Sequence, residues 1–255
     1  GLLTSRRDGL WVFYATPRSG EEREFLRAIT PFVHPDAAMR ADLNMAAQIL
    51  EERALKTRQF FNAIAEDWDE LNREVLGSFD LSEAVCDAVP QDCGTAVDLG
   101  CGTGGVLARM LPKVRGLIGV DGSARMLEIC RRRFTAEDLA DGRVSLRIGE
   151  LSHLPLRDHE ADFACINLVL HHLSDPAEGL REIRRIMAVG GRLFVADFQR
   201  HADETMRIRY GDRWLGFDEQ QLGLDLASAG FKVLHCKHMP VDRNMTLLLL
   251  SAEAC

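Results

Sequence analysis

Val97-Asp98-Leu99-Gly100-Cys101-Gly102-Thr103-Gly104-Gly105 reads as an apolar strand that runs into a glycine-rich turn and opens a helix. Glycine lets the backbone turn tightly and lets a ligand approach with no Cβ in the way. In open α/β sheets, ligands bind in such crevices at the carboxyl ends of strands. The glycine spacing alone is ambiguous. Gly100, Gly102 and Gly105 satisfy G-x-G-x-x-G, while Gly100, Gly102 and Gly104 equally satisfy G-x-G-x-G.

The acids on either side of the loop narrow the choice. Asp98 stands on the strand two residues before the first glycine, where a carboxylate repels a pyrophosphate and attracts an ammonium group. Asp121 ends the next apolar run, Leu117-Ile118-Gly119-Val120, and suits a bidentate acceptor for ribose hydroxyls. A ligand with a ribose, a cationic amine and no phosphate satisfies both acids. S-adenosyl-L-methionine (SAM) and its product S-adenosyl-L-homocysteine are such ligands.

Outward from the loop, strands and helices alternate. Strands are expected at 96–99, 117–120, 144–148, 163–167 and 192–197, with helices near 104–111, 123–133 and 177–188. A further helix near 218–229 and strands near 232–236 and 246–250 follow. This rhythm predicts an α/β fold, a parallel sheet covered by helices on both faces. The 255 residues are 46% apolar and 27% charged, which is ordinary globular composition and excludes a disordered chain. No apolar run nears the roughly 18 residues of a membrane-spanning helix. The net charge of −8 excludes a general polyanion binder. Seven cysteines without a Cys-x-x-Cys pair fit reduced thiols and a cytoplasmic location, and no signal peptide is expected.

Upstream, Asp8-Gly9 lies between the β-type runs Leu2–Ser5 and Leu10–Tyr14 and predicts a hairpin with Arg6 and Arg7 at its turn. From about Ser19 to Val75 the pattern is helical, interrupted by Pro31 and Pro35. Asp36 is expected to cap the helix that carries Leu43, Ala46, Ala47, Leu50 and Ala54. Phe60, Phe61, Ile64, Trp68, Leu71 and Val75 continue that stripe. The expected division is therefore 1–19 hairpin, 20–75 helical arm and 76–255 α/β domain.

The run Asp98–Gly104, Asp121 with Ser123, Met126 and Leu127, Gly149-Glu150 with Leu154-Pro155-Leu156, Asn167 to Leu173, and Gly190–Leu193 resembles the class I SAM-dependent methyltransferases. The nearest branch resembles the ubiquinone/menaquinone-biosynthesis enzymes, over roughly Phe60 to Leu250. The resemblance implies a seven-stranded Rossmann-like sheet. It also implies a cofactor site made by Asp98, Gly100, Cys101, Gly102, Thr103, Gly104, Asp121, Gly122 and Met126. Glu150, where the family usually has Asp, would bond the adenine amine, with Leu151 flanking the ring. Asn167 would lie near the methionine part, and Phe61 and Trp68 would cover the cofactor. One departure is Val189-Gly190-Gly191 in place of Pro-Gly-Gly.

Methyl transfer from a sulfonium needs mainly alignment, and a base only when the acceptor must lose a proton. The candidates are His172, His171, Tyr210, Asp197 and His201, with His172 ahead of His171. No metal is expected. Cys86, Cys93 and Cys101 are too loosely grouped to argue for a thiophilic substrate.

Residues 1–19 resemble the wing of an ArsR-type winged helix-turn-helix repressor, with Arg6 and Arg7 reaching DNA. The following helices resemble its dimerisation helix. The resemblance implies a regulator fused to a methyltransferase domain and working as a homodimer. The recognition helix is not among these residues, so tight operator binding is expected of the full-length protein only. Three functions are carried forward: methyl transfer to a small molecule, non-catalytic sensing of SAM or S-adenosylhomocysteine, and a nicotinamide-dependent oxidoreductase. Asp98 argues against the last.

Overall fold

The computed structural model describes residues 2–8, 11–17, 20–34 and 36–255. Two compact units divide the chain, Gly1–Glu51 and Glu52–Cys255.

The first unit begins with an antiparallel hairpin of β1 (Thr4–Asp8) and β2 (Trp11–Ala15). The expected turn is corrected here. Arg6 and Arg7 lie within β1, paired with Phe13 and Val12, because the β-favouring run Trp11–Ala15 carries the ladder as far as Asp8↔Trp11. Gly9 and Leu10, and likewise Gly1, Arg18, Ser19 and Pro35, lie outside the described residues. Helix α1 (Glu21–Ile29) follows, then α2 (Ala37–Ile64), which starts in this unit. Asp36 caps it as expected, its Oδ1 accepting the Met39 amide at 2.8 Å. Met39, Leu43, Met45, Ile49 and Leu50 are all exposed.

The second unit holds the end of α2, then α3 (Trp68–Leu76) and α4 (Leu81–Ala88). The alternating part runs β3 (Thr95–Leu99), α5 (Gly105–Met110), β4 (Gly116–Asp121), α6 (Ala124–Arg131), α7 (Ala136–Ala140), β5 (Val144–Ile148), β6 (Ala161–Asn167), α8 (Pro176–Ile186) and β7 (Met187–Phe198). Helices α9 (Thr205–Arg209) and α10 (Glu219–Ser228) and strands β8 (Phe231–Val241) and β9 (Met245–Ala254) complete it. The sheet has seven strands in the order β5-β4-β3-β6-β7-β9-β8, with β9 antiparallel to both neighbours.

Burial explains why these strands read as continuous apolar runs. On β3, β6, β7 and β9, alternate residues enter different cores. Ala96, Phe163, Phe194 and Leu247 face α4, α5 and α6. Val97, Ala164, Val195 and Leu248 face α8 and α10. The helix expected to reach Ala188 stops at Ile186, because Met187 is already paired with Ala161 as the start of β7. From β3 the chain builds outward through β4 to β5, then returns to place β6 on the other side of β3. Order reverses between β3 and β6, and the carboxyl ends of these two strands form the crevice in which such sheets bind ligands. No helix among the described residues is long and apolar enough to cross a membrane.

Candidate active site

Leu99 leads into the glycine loop at that crevice. Gly100 has φ +73°, and a Cβ there would come within 2.5 Å of Val169 Cγ2. Gly102 has φ +52°, and a Cβ there would meet the Trp68 indole nitrogen at 3.2 Å. The loop is pinned from the next strand. The Gly100 and Cys101 amides donate to the Val120 carbonyl at 2.8 and 3.0 Å. Asp121 Oδ2 accepts the Gly102 amide and Oδ1 the Ser123 amide, each at 2.8 Å. Each oxygen keeps a lone pair for a further donor.

Asp98 is buried at the same strand end, on the face it shares with Cys165. The Cys165 thiol donates to its Oδ1 at 3.3 Å. Burial, with the Asp121 charge adding to it, pushes the Asp98 carboxyl up to about 7. Asn167, at the end of β6, has its Oδ1 and Nδ2 buried beside Asp98 and Cys165; its contact lowers the pKa of both but falls short of full hydrogen-bond geometry. A buried amide with its hydrogen bonds only partly made is costly, so this corner suits a further polar group.

The end of α2 and the start of α3 cover the crevice. Asn62 Oδ1 accepts the Ser123 hydroxyl at 2.7 Å, and Arg58 pairs with Glu150 at 2.9 Å. Phe61 meets Trp68 edge-to-face at 5.4 Å and His172 at 4.9 Å. His171 and His172 lie in a single 3-10 turn, Leu170–His172, just after β6. His171 Nδ1 is 2.7 Å from Asp197 Oδ1, and its Nε2 is 3.5 Å from Asp212 Oδ1. Burial lowers the His171 pKa, but the Asp197 carboxylate, then Asp212, outweigh it and the net shift is upward. His172 is held well below its ordinary value by burial and by His171. Its Nδ1 lies 3.2 Å from the Gly211 carbonyl, which can only accept, so the proton sits on Nδ1 and Nε2 is a free acceptor.

Residues 97–195 match the family model described as methyltransferase domain. The match marks residues 97–195 as a methyltransferase domain. Over 100 residues the chain is 41% identical to the demethylmenaquinone methyltransferase of Lactiplantibacillus plantarum, covering 38% of this chain and 42% of that one. Over 155 residues it is 28% identical to the ubiquinone/menaquinone biosynthesis C-methyltransferase UbiE of Geotalea daltonii, covering 58% and 66%. The chain thus spans 42 to 66% of the length of these curated relatives. Its fold is similar to that of a methyltransferase solved in complex with the Haloferax volcanii Trm112 methyltransferase activator. There the TM-score is 0.63 at 20% identity, covering 76% of this chain and 97% of that one.

Within the methyltransferase domain, the other residues expected at the site are placed as follows. The Thr103 hydroxyl donates to Asp69, and Arg133 holds the Thr103 carbonyl at 2.6 Å, so these groups clamp the loop to α3. The Cys101 side chain is buried beside Gly119. Gly104, at φ +81°, is the N-cap of α5, and Met126 is buried in α6. Gly122 lies between Arg58 and the Gly149 carbonyl, and Leu151 is half-buried near Gly179. The Tyr210 hydroxyl donates to Glu74 at 3.1 Å, and burial with Glu74 raises its pKa. Tyr210 is therefore tied to α3 and not to the histidines.

Sequence reading missed Asp212, Arg58 and Asn62. Asp212 is buried and raised to about 6 by burial, and its carboxylate has no hydrogen-bond donor. His171, His172 and Asp212 bring one ligand atom each within 4.8 Å of one another, a spacing that a metal ion could bridge. Glu219, Cys236 and His238 do the same at a more exposed place. Neither group has a sequence motif, since Asp212 lies far along the chain from the histidine turn, and Glu219 is on α10 while Cys236 and His238 are on β8.

Proposed function

We propose that this chain transfers the methyl group of SAM to a small-molecule acceptor, as the C-terminal part of an ArsR-type transcriptional regulator. The observation that carries the first half is Asn167, its amide buried and incompletely bonded beside the buried Asp98 at the switch point of the sheet. SAM supplies an activated methyl on a sulfonium and leaves as S-adenosylhomocysteine. Asp98 and Asn167 would hold the ammonium and carboxylate end, and Asp121 the ribose hydroxyls. The backbone of Gly100, Cys101, Gly102 and Gly104, with Gly122, would let the nucleoside approach. Glu150 would reach the adenine amine, Leu151 and Met126 its faces, and Phe61 and Trp68 would close over it. His172 Nε2 would take the proton when the acceptor must lose one, with His171 and Asp197 positioning the turn that carries it.

The second half is supported by the β1–β2 hairpin, by Arg6 and Arg7 in its first strand, and by the exposed apolar residues along α2. These suit a wing that touches operator DNA and a helix that pairs with its copy in a homodimer. Regulation of this kind belongs to the cytoplasm. In the second reading the cofactor site only senses SAM or S-adenosylhomocysteine and biases operator binding. Asp212, beside His171 but without a hydrogen-bond donor, favours turnover over sensing, because a sensor needs no polar groups facing an acceptor.

Calorimetric titration with SAM and S-adenosylhomocysteine, followed by label transfer from methyl-labelled SAM into a metabolite pool, tests both readings. Binding of both nucleosides with label in a small molecule is the expected result. Binding with no transfer selects the sensor, and binding of neither removes both readings.

A further inference from the structure

A cavity of about 530 Å³ opens beside the histidine turn, with Asp212 and Gly211 in its wall. Its apolar surfaces are Phe60, Leu173 and Trp214. Gly211 is the residue whose carbonyl accepts from His172 Nδ1, so one wall of the cavity is bonded to the histidine turn.

The charge in this cavity runs against that of the protein. The chain carries a net charge of −8, yet Arg53, Lys56, Arg207 and Arg213 all line the cavity. Arg207 is paired with Glu204 at 2.9 Å. Arg213 is half-buried and bonded only to neutral groups, donating to the Ser174 hydroxyl at 2.7 Å and the Thr57 hydroxyl at 3.0 Å. Burial, and then the neighbouring Arg53, lower its pKa, so these two cations repel each other across the cavity. Among the described residues no carboxylate pairs with Arg53, Lys56 or Arg213. Asp212 is the only acid lining the cavity among the described residues, and it faces His171.

Cations gathered in a concave site with apolar walls, and left without counter-charge, select an anion with an apolar or aromatic body. We propose that this cavity is the acceptor site and that the acceptor is an anionic aromatic molecule whose carboxylate, phosphate or sulfonate is held by Arg213, Arg53 and Lys56. The inference rests on the methyl-transfer reading above and names its substrate class. A planar guanidinium at Arg213, already oriented by two hydroxyls, suits a bidentate oxyanion. Phe60 and Trp214 would flank the ring, and the reacting group would lie toward His172.

The test uses the whole chain saturated with S-adenosylhomocysteine. Titrations of 1-naphthoate, 1-naphthyl phosphate and 1-naphthalenesulfonate are compared with neutral 1-naphthamide. At least one anion is expected to bind about tenfold more tightly than the amide. That preference is expected to fall to about unity in Arg53→Gln/Lys56→Gln, whose changes lie on an exposed helix surface, and in Arg213→Gln, while affinity for S-adenosylhomocysteine stays unchanged. Equal binding of amide and anions, or no binding of any of them by protein that still binds S-adenosylhomocysteine, overturns the proposal and leaves the cofactor reading standing. Failure of the unsubstituted chain to bind S-adenosylhomocysteine overturns the parent reading, and the acceptor assignment with it.

Discussion

Asp121 and Gly102 are joined by a 2.8 Å hydrogen bond from the Gly102 amide to Oδ2, so the carboxylate offered to the ribose also holds the glycine loop in shape. Asp121→Asn keeps the size of the side chain but replaces one acceptor with an amide donor, which faces an N–H. The expected outcome is loss of SAM affinity by about a hundredfold, with a stability loss of about 1–3 kcal/mol. Calorimetry and denaturant melts measure the two separately.

The buried carboxyl of Asp98 gives a pH dependence with a definite sign. Its folded pKa is raised to about 7, well above the ordinary carboxylate value. The folded state therefore keeps a proton that the unfolded chain has lost, and its contribution to stability falls as pH rises from about 4 to 7. A cationic ligand end favours the charged form. SAM should therefore bind more tightly at pH 8 than at pH 6, and below pH 7 binding should release a proton. Titration at pH 6 in buffers of different ionisation enthalpy detects that proton. Asp98→Asn should lose SAM binding yet melt higher than the parent at pH 8 without ligand.

Asp197 is fully buried and holds His171 Nδ1 and the Phe198 amide, each at 2.7 Å. Asp197→Ala leaves those groups unpaired in the core and is expected to cost about 3–5 kcal/mol of stability. His172→Gln removes the proton acceptor without breaking that pair. It should keep the melting temperature and cofactor affinity while lowering turnover about 10²–10⁴-fold for an acceptor that must lose a proton.

Trp68 covers Gly102, so its fluorescence should respond when S-adenosylhomocysteine enters. Trp68→Phe should abolish the fluorescence response, with affinity reduced only a few-fold. An unchanged response in that variant would show that the signal comes from Trp11 or Trp214.

Much of this fold is legible along the chain because its signals are local. The glycine loop, Asp98 and Asp121 lie within 24 residues, and the apolar strands announce a sheet covered on both faces. The Asp36 cap is equally local. What could not be read depends on contacts between distant residues. Arg58 meets Glu150, Asn62 meets Ser123, and Arg213 meets Thr57 only after the sheet has brought separate elements together. Thr103 has the right position in the motif, but its hydroxyl is bonded to Asp69, and only the packing of α3 reveals that. Asp-Gly is a strong turn signal and draws Arg6 and Arg7 into the expected turn, whereas the ladder reaches as far as Asp8.

The last strand of the sheet is an interior one, since β9 fills the slot between β7 and β8. During synthesis both flanking strands leave the ribosome before the segment that joins them. The nascent domain therefore exposes two unpaired edges until β9 emerges, and unpaired edges recruit other chains. Occupancy of the crevice, built largely from earlier residues, cannot close that window. Chaperone capture of the stalled chain should accordingly end once β9 has emerged and paired.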